Sequence, residues 1–180
     1  ISFFFISLFI LIDNNLNISE LKFSFTSHNI ELKSFSNFFT ILCFLLFINA
    51  LNMFDGINCQ SGLYCIFIFS IFFFKNTLPY FSLILILSLF IFLIFNFKNK
   101  MYLGESGILI LAYIIGYIFV KTTKISEINF FVDEIFIIMA LPGIDMFRLF
   151  LTRIYKGKHP FSSDTNHIHH LLSKKISHEK

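Results

Sequence analysis

The chain has 180 residues, of which 56% are hydrophobic and 19% aromatic, with 29 Phe, 6 Tyr and no Trp. Only 14% are charged, with a net charge of +3, whereas a soluble domain carries roughly a quarter of its residues as Asp, Glu, Lys and Arg. A soluble enzyme is excluded, and so is a disordered tail, which needs low hydrophobicity. An integral membrane protein remains.

A helix that crosses the hydrocarbon core needs about 20 apolar residues. In chain order, residues 1–12 are uncharged but too few. They start at Ile1 with no basic leader, and they read as the far end of a span whose first part precedes Ile1. Residues 13–34 are polar, with an alternating Leu21-Lys22-Phe23-Ser24-Phe25 stretch that predicts a small hairpin outside the membrane. Residues 35–54, 56–74 and 76–97 are full-length apolar runs. Residues 106–120 form a shorter one that draws on its flanks, and 128–151 are interrupted by Asp133, Glu134, Asp145 and Arg148. Open sheets leave backbone groups unpaired in lipid, and a closed barrel needs short alternating strands, whereas these runs are apolar on every face. The expectation is an all-α polytopic membrane protein with about six transmembrane helices, the first partial. It forms one membrane-embedded domain over 1–180, with 152–180 as a histidine-rich loop and tail. Cys43, Cys59 and Cys65 lie in apolar stretches without metal spacing and read as small buried hydrophobes.

Spans alternate sides, so the connections near 55, 98–105 and 152–180 share one face. That face holds Lys98, Lys100, Arg148, Arg153, Lys156, Lys158, Lys174, Lys175 and Lys180. The opposite face holds Lys22, Lys33, Lys75, Lys121 and Lys124, balanced by acids. The cation-rich face is expected to be cytoplasmic.

Polar clusters fall on that face, where ionisable groups at membrane depth are costly and functional by default. Asn49, Asn52 and Asp55 are spaced along one helix face and are followed by Gly56 and Asn58; the plain alternative is an interhelical hydrogen-bond stripe. Asn96, Lys98, Lys100, Tyr102, Gly104 and Glu105 form a basic loop running into a carboxylate at a helix start, where an acid meets a positive dipole end and could also hold a hard cation. Asp145 and Arg148 are three apart and can simply pair with each other. Arg153, Lys156, Lys158, His159, His167, His169 and His170 suit phosphate binding or metal ligation, or form a solvated loop. Together these groups are the parts of phosphoryl transfer: acids for Mg²⁺, cations to spread developing charge, and polar groups to position two phosphates.

Three motifs carry a resemblance. Asn49-Ala50-Leu51-Asn52-Met53-Phe54-Asp55-Gly56, Tyr102-Leu103-Gly104-Glu105-Ser106-Gly107, and Lys158-His159-Pro160-Phe161-Ser162-Ser163-Asp164 leading into His167-Ile168-His169-His170 resemble the polyprenyl-phosphate N-acetylhexosamine-1-phosphate transferases. The resemblance covers about 45–175 and is closest to the branch that starts surface glycans such as O-antigen and teichoic acid. It implies transfer of a sugar 1-phosphate from a UDP-N-acetylhexosamine to undecaprenyl phosphate, with release of UMP, in a multi-pass bacterial inner-membrane enzyme whose site faces the cytoplasm. Mg²⁺ is the implied cofactor, with Mn²⁺ as the alternative. No nucleic acid is a partner, and a homodimer is left open.

By the same resemblance, Asp55 is catalytic with Asn52 and Asn58 beside it, and Glu105 with Asp55 holds the metal. Tyr102 stacks on uracil, Asn96 reads the base, and Asn49 belongs to the substrate-binding set. Arg153, His167, His169 and His170 hold the nucleotide-sugar diphosphate. Two positions depart from the family pattern: Asn58 stands where a second aspartate is usual, and Glu105 where an aspartate is usual. The family's paired-aspartate motif would precede Ile1, so residues 1–180 alone are not expected to turn over. The competing functions are a catalytically degenerate relative and a transporter with a phosphate-binding site on its cytoplasmic face.

Overall fold

The computed structural model describes residues 16–26, 28–56, 58–124, 130–155 and 157. These residues form five α-helices: α1 (Ser36–Phe54), α2 (Gln60–Phe74), α3 (Pro79–Phe97), α4 (Gly104–Lys124) and α5 (Val132–Tyr155). Two short strands, β1 (Glu20–Leu21) and β2 (Ile30–Glu31), pair antiparallel before them, with Glu20 opposite Glu31 and Leu21 opposite Ile30. The fold is an all-α polytopic one. The expected span 1–12 and the histidines His159, His167, His169 and His170 lie outside the described residues.

Four segments among the described residues are long and apolar enough to cross a membrane: Lys33–Phe54, Pro79–Phe97, Gly104–Thr123 and Val132–Tyr155. The run expected at 56–74 is shorter than its sequence suggests. Its helix has 15 residues, about 22 Å at 1.5 Å per residue against a hydrocarbon core of about 30 Å. Asp55, Gly56 and Asn58 account for the loss, because side chains that bond nearby backbone, and glycine, disfavour helix continuation. Cys59 takes a left-handed φ of 69° just before α2 starts. At the other end of α2, Leu78 is also left-handed (φ 48°), and Pro79 opens α3 at the first helical position, where its missing N–H costs nothing.

Two other boundaries move outward. α4 starts at Gly104, with Glu105 in its first turn beside the positive dipole end, and runs on to Lys124. α5 continues to Tyr155, so residues 152–155, expected in the loop at 152–180, are helical and carry Arg153 in the last turn. A cation at that end complements the helix dipole.

α2 and α3 pair as a helical hairpin, and α1 lies against both α4 and α5, with α2 also touching α4. Ile48, Leu51, Ile68, Phe69, Phe72, Ile108 and Ile115 are fully or almost fully buried where these helices meet. Two glycines permit close approach. A Cβ on Gly116 would lie 2.8 Å from Cε1 of the buried Phe44 ring, and one on Gly62 would lie 2.7 Å from Leu93 Cδ2. The outward faces stay apolar, with Phe90, Ile91 and Ile94 on α3 and Phe136, Ile137, Ile144 and Phe147 on α5 exposed. In water such a surface would drive association; in lipid it is the required solvent match.

The alternation of helices gathers the 55–59 turn, the 98–103 loop and the end of α5 at one end of the bundle. The strand pair, the 75–78 turn and the start of α5 collect at the other. There the Ser36 hydroxyl donates to Ile18 O (2.6 Å), and Ile18 N–H donates to Thr40 Oγ1 (2.8 Å), strapping the strand-bearing segment onto the start of α1.

Candidate functional site

Some of the polar residues of the first end converge on one pocket. Asp55, Gly56, Asn58, Ser61, Phe92, Asn96, Tyr102 and Leu103 line a cavity of about 190 Å³. Its residues come from the α1–α2 turn, the first turn of α2, the end of α3 and the α3–α4 loop. Asp55, Asn58, Asn96 and Tyr102 had each been singled out from sequence, and the fold brings them together although they span nearly fifty positions.

Asp55 sits just past the end of α1, its N–H still donating to Leu51 O at 3.2 Å. A carboxylate there faces the negative end of the α1 dipole. The chain then reverses, so the same carboxylate meets the start of α2, where Ser61 donates its hydroxyl to Asp55 Oδ1. Ser61 was not anticipated. The available signal was a hydroxyl residue at the start of an apolar run, six positions after the acid.

Asn96 is 5% exposed and crosses between the two loops. Its Oδ1 accepts the Cys59 N–H at 2.6 Å, and its Nδ2 donates to Met101 O at 2.6 Å. Asn58 donates its side-chain amide to Asn99 Oδ1. Asn96 thus joins two loops that carry left-handed residues, Cys59 in one and Asn99 (φ 54°) in the other. These hydrogen bonds help hold irregular backbone at a fixed separation. Tyr102 is 69% exposed at the pocket rim, with its ring available to a flat partner.

The remaining expected residues are more dispersed. Glu105 is exposed in the first turn of α4 and is not among the pocket-lining residues. Asn49 and Asn52 are half-buried in the last turns of α1. On α5, Pro142, Asp145, Leu149 and Arg153 share the buried face. Arg148 donates to Asp145 Oδ1 from Nη2 at 3.0 Å and Nε at 3.2 Å, the pairing that their three-residue spacing allows.

Among the described residues, no three His, Cys, Asp or Glu side chains gather as a metal-binding group. A hard cation such as Mg²⁺ keeps several waters and takes one or two carboxylates together with phosphate oxygens. Asp55 in this pocket can supply one such carboxylate.

Comparison with known proteins gives a family. The family model described as glycosyl transferase family 4 matches residues 1–123. The undecaprenyl-phosphate alpha-N-acetylglucosaminyl 1-phosphate transferase of Escherichia coli strain K12 is 27% identical over 178 residues, covering 93% of this chain and 48% of the relative. The protein of the same name from Salmonella typhimurium is 25% identical over 185 residues, with the same coverages. That from Haemophilus influenzae is 32% identical over 75 residues, 42% of this chain and 21% of the relative. The chain spans about half the length of the enteric relatives it matches. No solved structure matches it. With more than half of its residues matched by that family model, the chain belongs to glycosyl transferase family 4.

Proposed function

We propose that the protein containing this chain transfers N-acetylglucosamine 1-phosphate, or a related N-acetylhexosamine 1-phosphate, from its UDP-sugar to undecaprenyl phosphate and releases UMP. One observation carries the reading: a polar pocket holding Asp55, Asn58, Asn96 and Tyr102 lies at one end of the helical bundle. The names of the relatives support it. The location is what the chemistry needs, because a lipid phosphate lies at the membrane surface and a sugar nucleotide arrives from water. The cation excess on this side argues that it is the cytoplasmic one.

In the proposed reaction, an oxygen of the lipid phosphate attacks the sugar-bearing phosphorus. The bond from that phosphorus to the bridging oxygen breaks, and the electron pair leaves on UMP. Both phosphates are already anionic, so the protein's task is positioning and charge stabilisation rather than proton removal. Ser61 fixes the rotamer of Asp55, and the Asn96 and Asn58 amides set the spacing of the two loops. Tyr102 offers a face for uracil, and Arg153, with the histidines of the 167–170 motif, offers charge to the diphosphate. Mg²⁺ would be held by Asp55, with Glu105, which does not line the pocket, as the second carboxylate that the resemblance implies, and it would supply neutralisation of phosphate charge.

A second reading has one specific observation behind it. Asn58, where the family usually has an acid, donates its amide to Asn99, as suits a relative that binds phosphate without turnover. Membranes carrying the intact protein separate the two readings. Release of UMP that requires both UDP-N-acetylglucosamine and undecaprenyl phosphate supports the transferase. Binding of the sugar nucleotide with no UMP release supports the degenerate relative.

A further inference from the structure

α5 runs unbroken from Val132 to Tyr155 with Pro142 inside it, fully buried. Proline has no N–H, so the carbonyl four residues earlier, that of Ile138, loses its helical donor. Within a membrane no bulk water replaces it, and an unpaired carbonyl there is costly. Tyr64 of α2 fills the gap, with its hydroxyl donating to Ile138 O at 2.8 Å.

The rest of Tyr64 is tied to the pocket. Its ring meets Phe54 edge-on, with centroids 5.5 Å apart at 62°, and Phe54 is the residue immediately before Asp55. One turn ahead of Tyr64 on α2, Ser61 holds Asp55 Oδ1. A single short stretch of α2 therefore touches the pocket acid on one side and the proline site of α5 on the other. Beyond Pro142, the buried face of α5 carries Asp145 and Arg153.

We infer that Tyr64 is a positioning residue: its hydroxyl stands in for the amide that Pro142 lacks and fixes the heading of residues 142–155 relative to the Asp55 pocket. The inference rests on the reading of that pocket as the reaction site. It assigns Tyr64 a role that its apolar surroundings conceal. A phenylalanine would pack on Phe54 equally well and would leave Ile138 O without its donor.

The test is a double-mutant cycle in the intact protein. Tyr64→Phe should raise the KM for UDP-N-acetylglucosamine about five- to tenfold. In a Pro142→Ala background the backbone N–H is restored, Ile138 O regains its helical partner, and Tyr64→Phe should change KM less than about twofold. Spin labels on the exposed positions Phe67 of α2 and Ile154 of α5 supply a readout independent of activity. The distance distribution should broaden or shift in Tyr64→Phe and return to that of Pro142→Ala in the double variant. If the distances follow this pattern while wild-type membranes release no UMP, the positioning role stands and the transferase reading fails. An unchanged distribution and KM in Tyr64→Phe would overturn the inference, as would equal losses in both backgrounds. Should Tyr64→Phe fail to fold, the double variant should still fold; its failure would also count against the role.

Discussion

The two ends of the bundle treat their polar residues in opposite ways. At the strand-bearing end, the polar side chains pair with one another and cap the start of α5. Lys75 Nζ lies 2.7 Å from Glu134 Oε2 and 4.4 Å from the centroid of the Phe130 ring. Glu134 also accepts the Phe131 N–H at 3.2 Å, reaching back over the first turn of α5 as in a capping box. Asp133 accepts from Ser24 N–H at 2.9 Å and from its hydroxyl at 2.5 Å, and Val132 N–H donates to Lys22 O at 2.8 Å. The Lys22 ammonium, 2.8 Å from Glu20, holds that carboxyl below the usual range. At the pocket end, polar side chains instead brace irregular loops around a cavity, and an acid at the end of a helix lines it. The first pattern closes a structure, whereas the second leaves a polar cavity open.

That contrast can be attacked by substitution at each end. The largest effect is expected from Asp55→Asn in the intact protein, which should cut UMP release about a hundredfold or more while thermal unfolding in detergent changes little, as for groups acting on transition-state charge. Asn96→Ala removes two part-buried hydrogen bonds, to Cys59 N–H and Met101 O, so a loss of about 1–2 kcal/mol is expected, read from thermal unfolding, together with reduced turnover. Gly116→Ala forces a methyl against the buried Phe44 ring far from the pocket. It should cost about 1–3 kcal/mol by overpacking, with activity per folded molecule retained. Lys75→Ala at the opposite end breaks a pair whose side chains are about one-third exposed. It should cost only about 0.5–1 kcal/mol and leave UMP release unchanged. A reversal, with Lys75→Ala hurting activity more than Asn96→Ala, would dissolve the distinction between the ends.

Much of the scaffold was legible because lipid is a demanding solvent. Runs such as 35–54 and 76–97 admit no other reading, and the alternating stretch near Lys22 marks the strand-bearing segment. The α2 boundary was less legible, because Cys59 and Gln60 look as compatible with a helix as their neighbours, and only the turn around Asp55–Asn58 sets the start. The pocket was legible as a list of residue types, not as a division of labour. The sequence marks Asn96 as a polar residue at a span end, but its partner Cys59 lies 37 positions away, and no local pattern encodes that pairing. Tyr64 was missed for the same reason: it acts on Ile138 O, 74 positions away, and does not break the apolar rhythm of its helix. Ser61 is only six positions from Asp55, but its one local mark is a hydroxyl at the start of an apolar run.

The central claim is that the sugar nucleotide binds at the Asp55 end, on the cytoplasmic side. Single cysteines placed at Met101, in the loop beside the pocket, and at Phe25, in the strand-bearing segment, test it directly in a background free of other thiols. Both positions are exposed, at 46% and 77%. In inside-out membrane vesicles carrying the intact protein, a membrane-impermeant thiol reagent should label position 101 and spare position 25. UDP-N-acetylglucosamine should slow labelling at position 101 several-fold. Labelling of position 25 in those vesicles, or no protection of position 101 at saturating nucleotide, would contradict the account.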